Sequence, residues 1–140
     1  MADIRQVTPN FAVAPQIEAE DFAALAGLGF KTVIDNRPDG ESHGDIQSAD
    51  AEAAASAAGL TFIYAPFQGQ PTPQAVEAVI RAGQGPVLAY CRSGTRSITA
   101  WAIAQAKSGR LDADAIIASA RAAGYDLGHL KEFLRSISAA

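Results

Sequence analysis

Cysteine is all but missing from this 140-residue chain, which holds one, Cys91. A single thiol cannot close an intramolecular disulfide. It cannot build a zinc site without histidines and carboxylates gathered around it, and His43 and His129 do not supply that cluster. No metal or organic cofactor is expected. Positive charge is also scarce: 11 Lys and Arg against 15 Asp and Glu leave a net charge of −4, with no basic stripe, so nucleic-acid binding is excluded. Uncharged apolar runs never approach the roughly 18 residues of a membrane span. The first 15 residues lack the basic start, apolar run and cleavage-like end of a leader. A soluble cytoplasmic protein is the expectation.

The 49% hydrophobic content suffices for one core at this length and not for two, so residues 1–140 read as one domain. Three apolar runs rich in β-branched residues, 31–35, 61–65 and 86–90, read as central strands. Residues 11–14, bracketed by Pro9 and Pro15, read as an edge strand. Helical segments fall at about 19–26, 48–58 and 73–82, each followed by glycine, with Thr72 an N-cap ahead of Pro73. After Tyr90 the pattern is helical only: 97–107, 112–123 and 130–137. Strands alternating with helices predict an α/β fold with a mostly parallel sheet. Trp101 and Ile98 are spaced to face that sheet as core.

In such sheets ligands bind beyond the carboxyl ends of the strands, which is where the segment Cys91-Arg92-Ser93-Gly94-Thr95-Arg96 lies. A loop between a buried strand and a helix leaves backbone N–H groups without helical partners, free to converge on an anion. Cys91 at the base of that ring, near the positive end of the next helix, is favoured as thiolate over thiol, hence as a nucleophile. Arg96 can offer a two-pronged guanidinium to an anionic substrate. Gly94 lets the backbone pass close to it. Ser93, Thr95 and Ser97 offer hydroxyls to the attacking or departing sulfur. Arg92 is a further substrate-binding candidate, although facing solvent is its simpler role.

The string Tyr90-Cys91-Arg92-Ser93-Gly94-Thr95-Arg96-Ser97 resembles the active loop of rhodanese-type sulfurtransferases. Residues 3–107 resemble the phosphatase-like domain called beta-lactamase hydrolase-like. That second match is carried by Val13-Ala14-Pro15-Gln16, by Gly29-Phe30-Lys31-Thr32-Val33-Ile34-Asp35-Asn36-Arg37-Pro38-Asp39-Gly40-Glu41, and by the run from Gly85 through Ser97. It implies a three-layer fold like that of dual-specificity phosphatases, the central sheet flanked by helices, and an activity described variously as phosphatase or sulfur transfer.

Tyrosine-phosphatase-like loops keep five residues between cysteine and arginine, whereas four separate Cys91 from Arg96. In those phosphatases the loop after the strand matching 61–65 carries an acid that protonates the leaving group; here it reads Pro66-Phe67-Gln68-Gly69-Gln70-Pro71. Asp35, Asp39 or Glu41 could replace that acid, but turn capping and pairing with Arg37 are the simpler roles for this segment. Arg37 itself is a candidate for the anion pocket. Tyr64 or Phe67 could line its mouth, and His43 reads as solvated.

These features predict a sulfurtransferase carrying sulfane sulfur on Cys91, taken from a small anionic donor and passed to a thiol or cyanide. The alternatives are a phosphatase acting on phosphoesters through a cysteinyl-phosphate, and a non-catalytic anion-binding or redox-sensing module.

Overall fold

The computed structural model describes residues 2–83 and 85–139. In chain order the elements are β1 (Arg5–Thr8), β2 (Phe11–Ala14), α1 (Asp21–Gly27), β3 (Thr32–Asp35), α2 (Ser48–Ala57), β4 (Thr61–Tyr64), α3 (Pro73–Ala82), β5 (Val87–Tyr90), α4 (Thr95–Ser108), α5 (Ala113–Ala122) and α6 (Lys131–Ile137). A short 3-10 turn, Gly128–Leu130, leads into α6. Two helix starts are capped as the residue types dictate. The Thr72 hydroxyl accepts from the Ala75 amide at 3.2 Å, and the Asp112 carboxylate accepts from the Ala115 amide at 2.8 Å.

The strands form one sheet in the order β1-β2-β5-β3-β4. All neighbours are parallel except the β1–β2 hairpin. Because side chains alternate across a strand, each inner strand feeds two cores. Phe11, Val13, Ile34, Val87 and Ala89 face α3 to α6, packing on Val79, Ile98, Trp101, Ile116 and Leu134. Ala12, Ala14, Val33, Leu88 and Tyr90 face α1 and α2, packing on Phe22, Leu25, Ala51 and Ala55. The result is the expected α/β arrangement of helix, sheet and helix.

The two outer assignments are exchanged relative to the sequence expectation. Phe11–Ala14 lies inside the sheet and is buried throughout, whereas Thr61–Tyr64 is an edge, with Thr61 and Tyr64 exposed. For β2 the cause is β1, whose polar sequence Arg5-Gln6-Val7-Thr8 carries no apolar run yet takes the edge position beside it, while β4, at the opposite end of the sheet, pairs with β3 alone. Pro9 falls in the intervening turn and Pro15 just beyond the strand, so neither proline interrupts a ladder bond.

Trp101 anchors the larger core: it is buried, and its ring stacks on Phe11 at 6.2 Å between centroids. Trp101→Ala is expected to lower unfolding free energy by about 3–5 kcal/mol, measured by urea titration followed by circular dichroism.

Candidate active site

The parallel register brings three strand ends to one level. Ala14 and Asp35 both pair with Tyr90, the residue before Cys91. Backbone bonds continue past the ladder: Cys91 N–H donates to Ala14 O at 3.4 Å, Asn36 N–H to Tyr90 O at 2.9 Å, and Gln16 N–H to Arg92 O at 3.3 Å. Cys91 therefore sits on a fixed floor and is wholly buried.

From there the chain turns sharply into α4 through Gly94, whose φ of +93° lies in the left-handed region. This turn aims the Gly94 N–H at the Cys91 sulfur, at 3.1 Å, one turn ahead of the positive end of a 14-residue helix. Space as well as φ requires glycine. A Cβ would collide with the Tyr125 hydroxyl and lie 2.9 Å from its ring carbon Cζ. Tyr125 clasps the loop from outside, donating its hydroxyl to Ser93 O at 3.0 Å, and its ring in turn carries the Arg5 guanidinium 5.6 Å from the centroid.

Arg96 reaches back across the site. Its Nη1 and Nη2 donate to Oε2 and Oε1 of Glu41 at 2.9 and 2.6 Å, and Nη1 also donates to Phe67 O at 3.2 Å. Glu41 accepts as well from Arg37 Nε at 2.9 Å and Gln68 Nε2 at 3.3 Å. Arg37 is itself buried and held by Asp45 at 2.6 Å and Gln16 at 2.8 Å. The two-pronged bond from Arg96, helped by Arg37 and Gln68, lowers the Glu41 carboxyl to about 2. Glu41 likewise raises Arg96 above the usual guanidinium range, with a smaller contribution from the neighbouring Cys91 sulfur.

Beneath this ion cluster lies a second polar layer. Asn36, fully buried, donates to Ala65 O at 2.9 Å and accepts from the Ser97 hydroxyl at 2.8 Å, tying the end of β3 to the β4 loop and to α4. Asp35 accepts from the Arg37 N–H at 2.8 Å. Burial is the main cause that pushes its carboxyl up to about 6. The Tyr90 hydroxyl beside it is buried with no hydrogen bond of ordinary geometry among the described residues.

Cys91, Gly94, Arg96 and Arg37 thus converge, the last through Glu41. Ser97 turns its hydroxyl to Asn36 rather than to the sulfur. Ser93 bonds to Thr95 at 3.1 Å, both exposed, and Arg92 is exposed with no ion pair among the described residues. His43 and His129 are exposed, Phe67 contributes its carbonyl, and the Tyr64 hydroxyl accepts from the Asp39 N–H at 2.8 Å. Tyr125 was not foreseeable, since nothing near it in sequence marks a partner 32 residues away. Glu41 was visible as a carboxylate in a strand-end loop, but its grip on Arg96 was not. Among the described residues no group of three or more His, Cys, Asp or Glu is placed to hold a metal, and no helix is long and apolar enough to cross a membrane.

Residues 3–108 match the beta-lactamase hydrolase-like protein, phosphatase-like domain. The chain belongs to that family. A beta-lactamase hydrolase-like protein of Agrobacterium fabrum is 34% identical over 96% of the chain, which spans only 32% of that relative. The crystal structure of a phosphatase candidate from Neisseria meningitidis superposes with a TM-score of 0.79 at 34% identity, covering 96% of this chain and 97% of that one. PTPMT1, solved in complex with PI(5)P, shares the fold at 15% identity with a TM-score of 0.72, over 96% and 93% of the two chains. The fold is that of phosphatases of the protein-tyrosine-phosphatase type.

Two stability measurements probe the site's framework. Asp35 has an ordinary value near 3.8 when unfolded and about 6 when folded, so native stability is fullest below 3.8 and is lost as pH rises through 6. Asp35→Asn, neutral throughout, is expected to be more stable than wild type at pH 8 by about 3 kcal/mol and equal to it at pH 3, by urea titration. Gly94→Ala is expected to cost about 1–3 kcal/mol. Part of that cost should disappear in the Tyr125→Ala background, leaving only the backbone strain.

Proposed function

We propose that Cys91 is the thiolate nucleophile of a sulfurtransferase acting on a small dianionic donor such as thiosulfate. The sulfur of Cys91 attacks the sulfane sulfur, the bond from that sulfur to the sulfonate group breaks, and sulfite leaves with the electron pair. Cyanide or an acceptor thiolate then takes the terminal sulfur of the persulfide and restores the thiolate, with no net oxidation or reduction. The Gly94 amide and Arg96 stabilise the charge that develops around the sulfur and on the departing anion.

The observation that carries this reading is the absence of a proton donor where a phosphatase of this fold type keeps one. The loop after β4 is brought against Arg96 by the Phe67 carbonyl and touches Glu41 through Gln68, an amide in place of an acid. Glu41 is ionised far below neutrality. Sulfite and thiolates leave as stable anions and need no acid, whereas alkoxides do. The short spacing from Cys91 to Arg96 supports the same reading.

The family and its structural neighbours favour a second reading, hydrolysis of a phosphomonoester. There the thiolate attacks phosphorus, the ester P–O bond breaks, and water later cleaves the cysteinyl-phosphate. One paired experiment separates the two. Thiosulfate with cyanide is assayed for thiocyanate, and 4-nitrophenyl phosphate, whose leaving group needs little protonation, for nitrophenolate. Thiocyanate formation that falls about a thousandfold or more in Cys91→Ser supports sulfur transfer. Cys91-dependent turnover of the aryl phosphate alone would replace it with the phosphatase reading. Turnover of neither substrate would leave an anion-binding or redox-sensing module.

A further inference from the structure

The ion cluster contains a contact that neither reaction requires. A substrate anion at Cys91 would need the guanidinium fork of Arg96, and both prongs of that fork are taken by Glu41 at 2.9 and 2.6 Å. Cys91 beneath it is wholly buried. Glu41 also holds a second cation, since its Oε1 accepts from Arg37 Nε while Asp45 and Gln16 fix the rest of Arg37 in place. The carboxylate therefore has somewhere to stay when it lets go of Arg96.

We propose that Glu41 is an internal competitor for the substrate's anion position, displaced from Arg96 onto Arg37 as substrate enters, and that this competition makes the site select dianions over monoanions. The inference rests on the reading that Arg96 serves the substrate anion. A monoanion exchanges one negative charge for another and gains nothing over a carboxylate tethered at high effective concentration. A dianion brings the extra charge that pays for the exchange. Thiosulfate and phosphomonoesters are both dianionic near neutral pH, so the selection holds for either reaction. The two-pronged geometry matters because an oxyanion of sulfate or phosphate presents the same paired oxygens to a guanidinium.

Equilibrium binding of inorganic sulfate tests this without turnover, so its outcome is independent of which reaction, if any, is catalysed. Sulfate and nitrate are titrated calorimetrically into wild type, Glu41→Gln and Asp45→Asn at one ionic strength. Asp45→Asn removes the same charge from the cluster without touching Arg96. Glu41→Gln is expected to bind sulfate about tenfold more tightly than wild type and to gain measurable nitrate binding, with Asp45→Asn changing sulfate affinity by less than about threefold. Cys91 should become more reactive to iodoacetamide in Glu41→Gln. Equal or weaker sulfate binding by Glu41→Gln would overturn the proposal and make Glu41 a positioning residue for Arg96. Equal gains in both variants would overturn it in favour of a diffuse charge effect. If Glu41→Gln fails to fold by circular dichroism, Glu41→Asp carries the test. Its shorter arm loosens the paired contact and should raise sulfate affinity severalfold, and an unchanged or lower affinity would overturn the proposal.

Discussion

The pairing of β5 with β2 on one side and β3 on the other, in a register that ends all three together, is the constraint on which the site depends. Ala14, Asp35 and Tyr90 are level across the sheet, so the residues that follow them emerge at one edge. Gln16, Asn36 and Cys91 are each one or two positions beyond those ends. Slipping any strand by one residue would send its side chains to the opposite core and separate the three segments. The buried alternation of β2, β3 and β5 thus does more than stabilise the molecule, because it fixes where Cys91 stands relative to the two loops that hold Arg37 and Gln16.

A second constraint is that charge drawn into a half-buried site has to be paired. Arg37 and Arg96 enter from different elements, one after β3 and one at the start of α4, and Glu41 is the group both can reach. Asp45 completes the pairing of Arg37. Without Glu41 the two guanidinium groups would face one another across the site. In the proposed competition, the same carboxylate that makes the protein's own charges compatible is the one an incoming anion has to replace. Under that proposal, stability and substrate entry are set against each other at a single residue.

Much of this was legible in the sequence because it follows local rules. The three β-branched runs, the capped helices and the loop from Cys91 to Arg96 follow from periodicity, caps and glycine chemistry. What was not legible depends on pairings distant in sequence. β1 is polar yet pairs with β2 and so moves it inward, while β4, at the other end of the sheet, pairs with β3 alone. The Asn36 side chain looked like turn chemistry yet bridges to Ser97, 61 positions on. Gly94 was tied to close approach of the backbone to a ligand, whereas the neighbour that demands glycine in the structure, Tyr125, comes from beyond α5.

Fold and loop also pull the chemical reading in different directions, and the reason is physical. The loop from Cys91 to Arg96 presents a cysteine sulfur, the Gly94 amide aimed at it and an arginine, groups that either proposed reaction would use. What distinguishes the reactions is the leaving group, since an alkoxide must be protonated as it departs and sulfite must not. That requirement falls on the loop after β4, which here presents a carbonyl and an amide to Arg96 and Glu41. Displacing Glu41 from Arg96 would not turn it into a ready acid, because Arg37 still holds it and still favours its charged form. An anionic leaving group matches the surroundings this chain provides, and the shared fold leaves that distinction to a handful of loop residues.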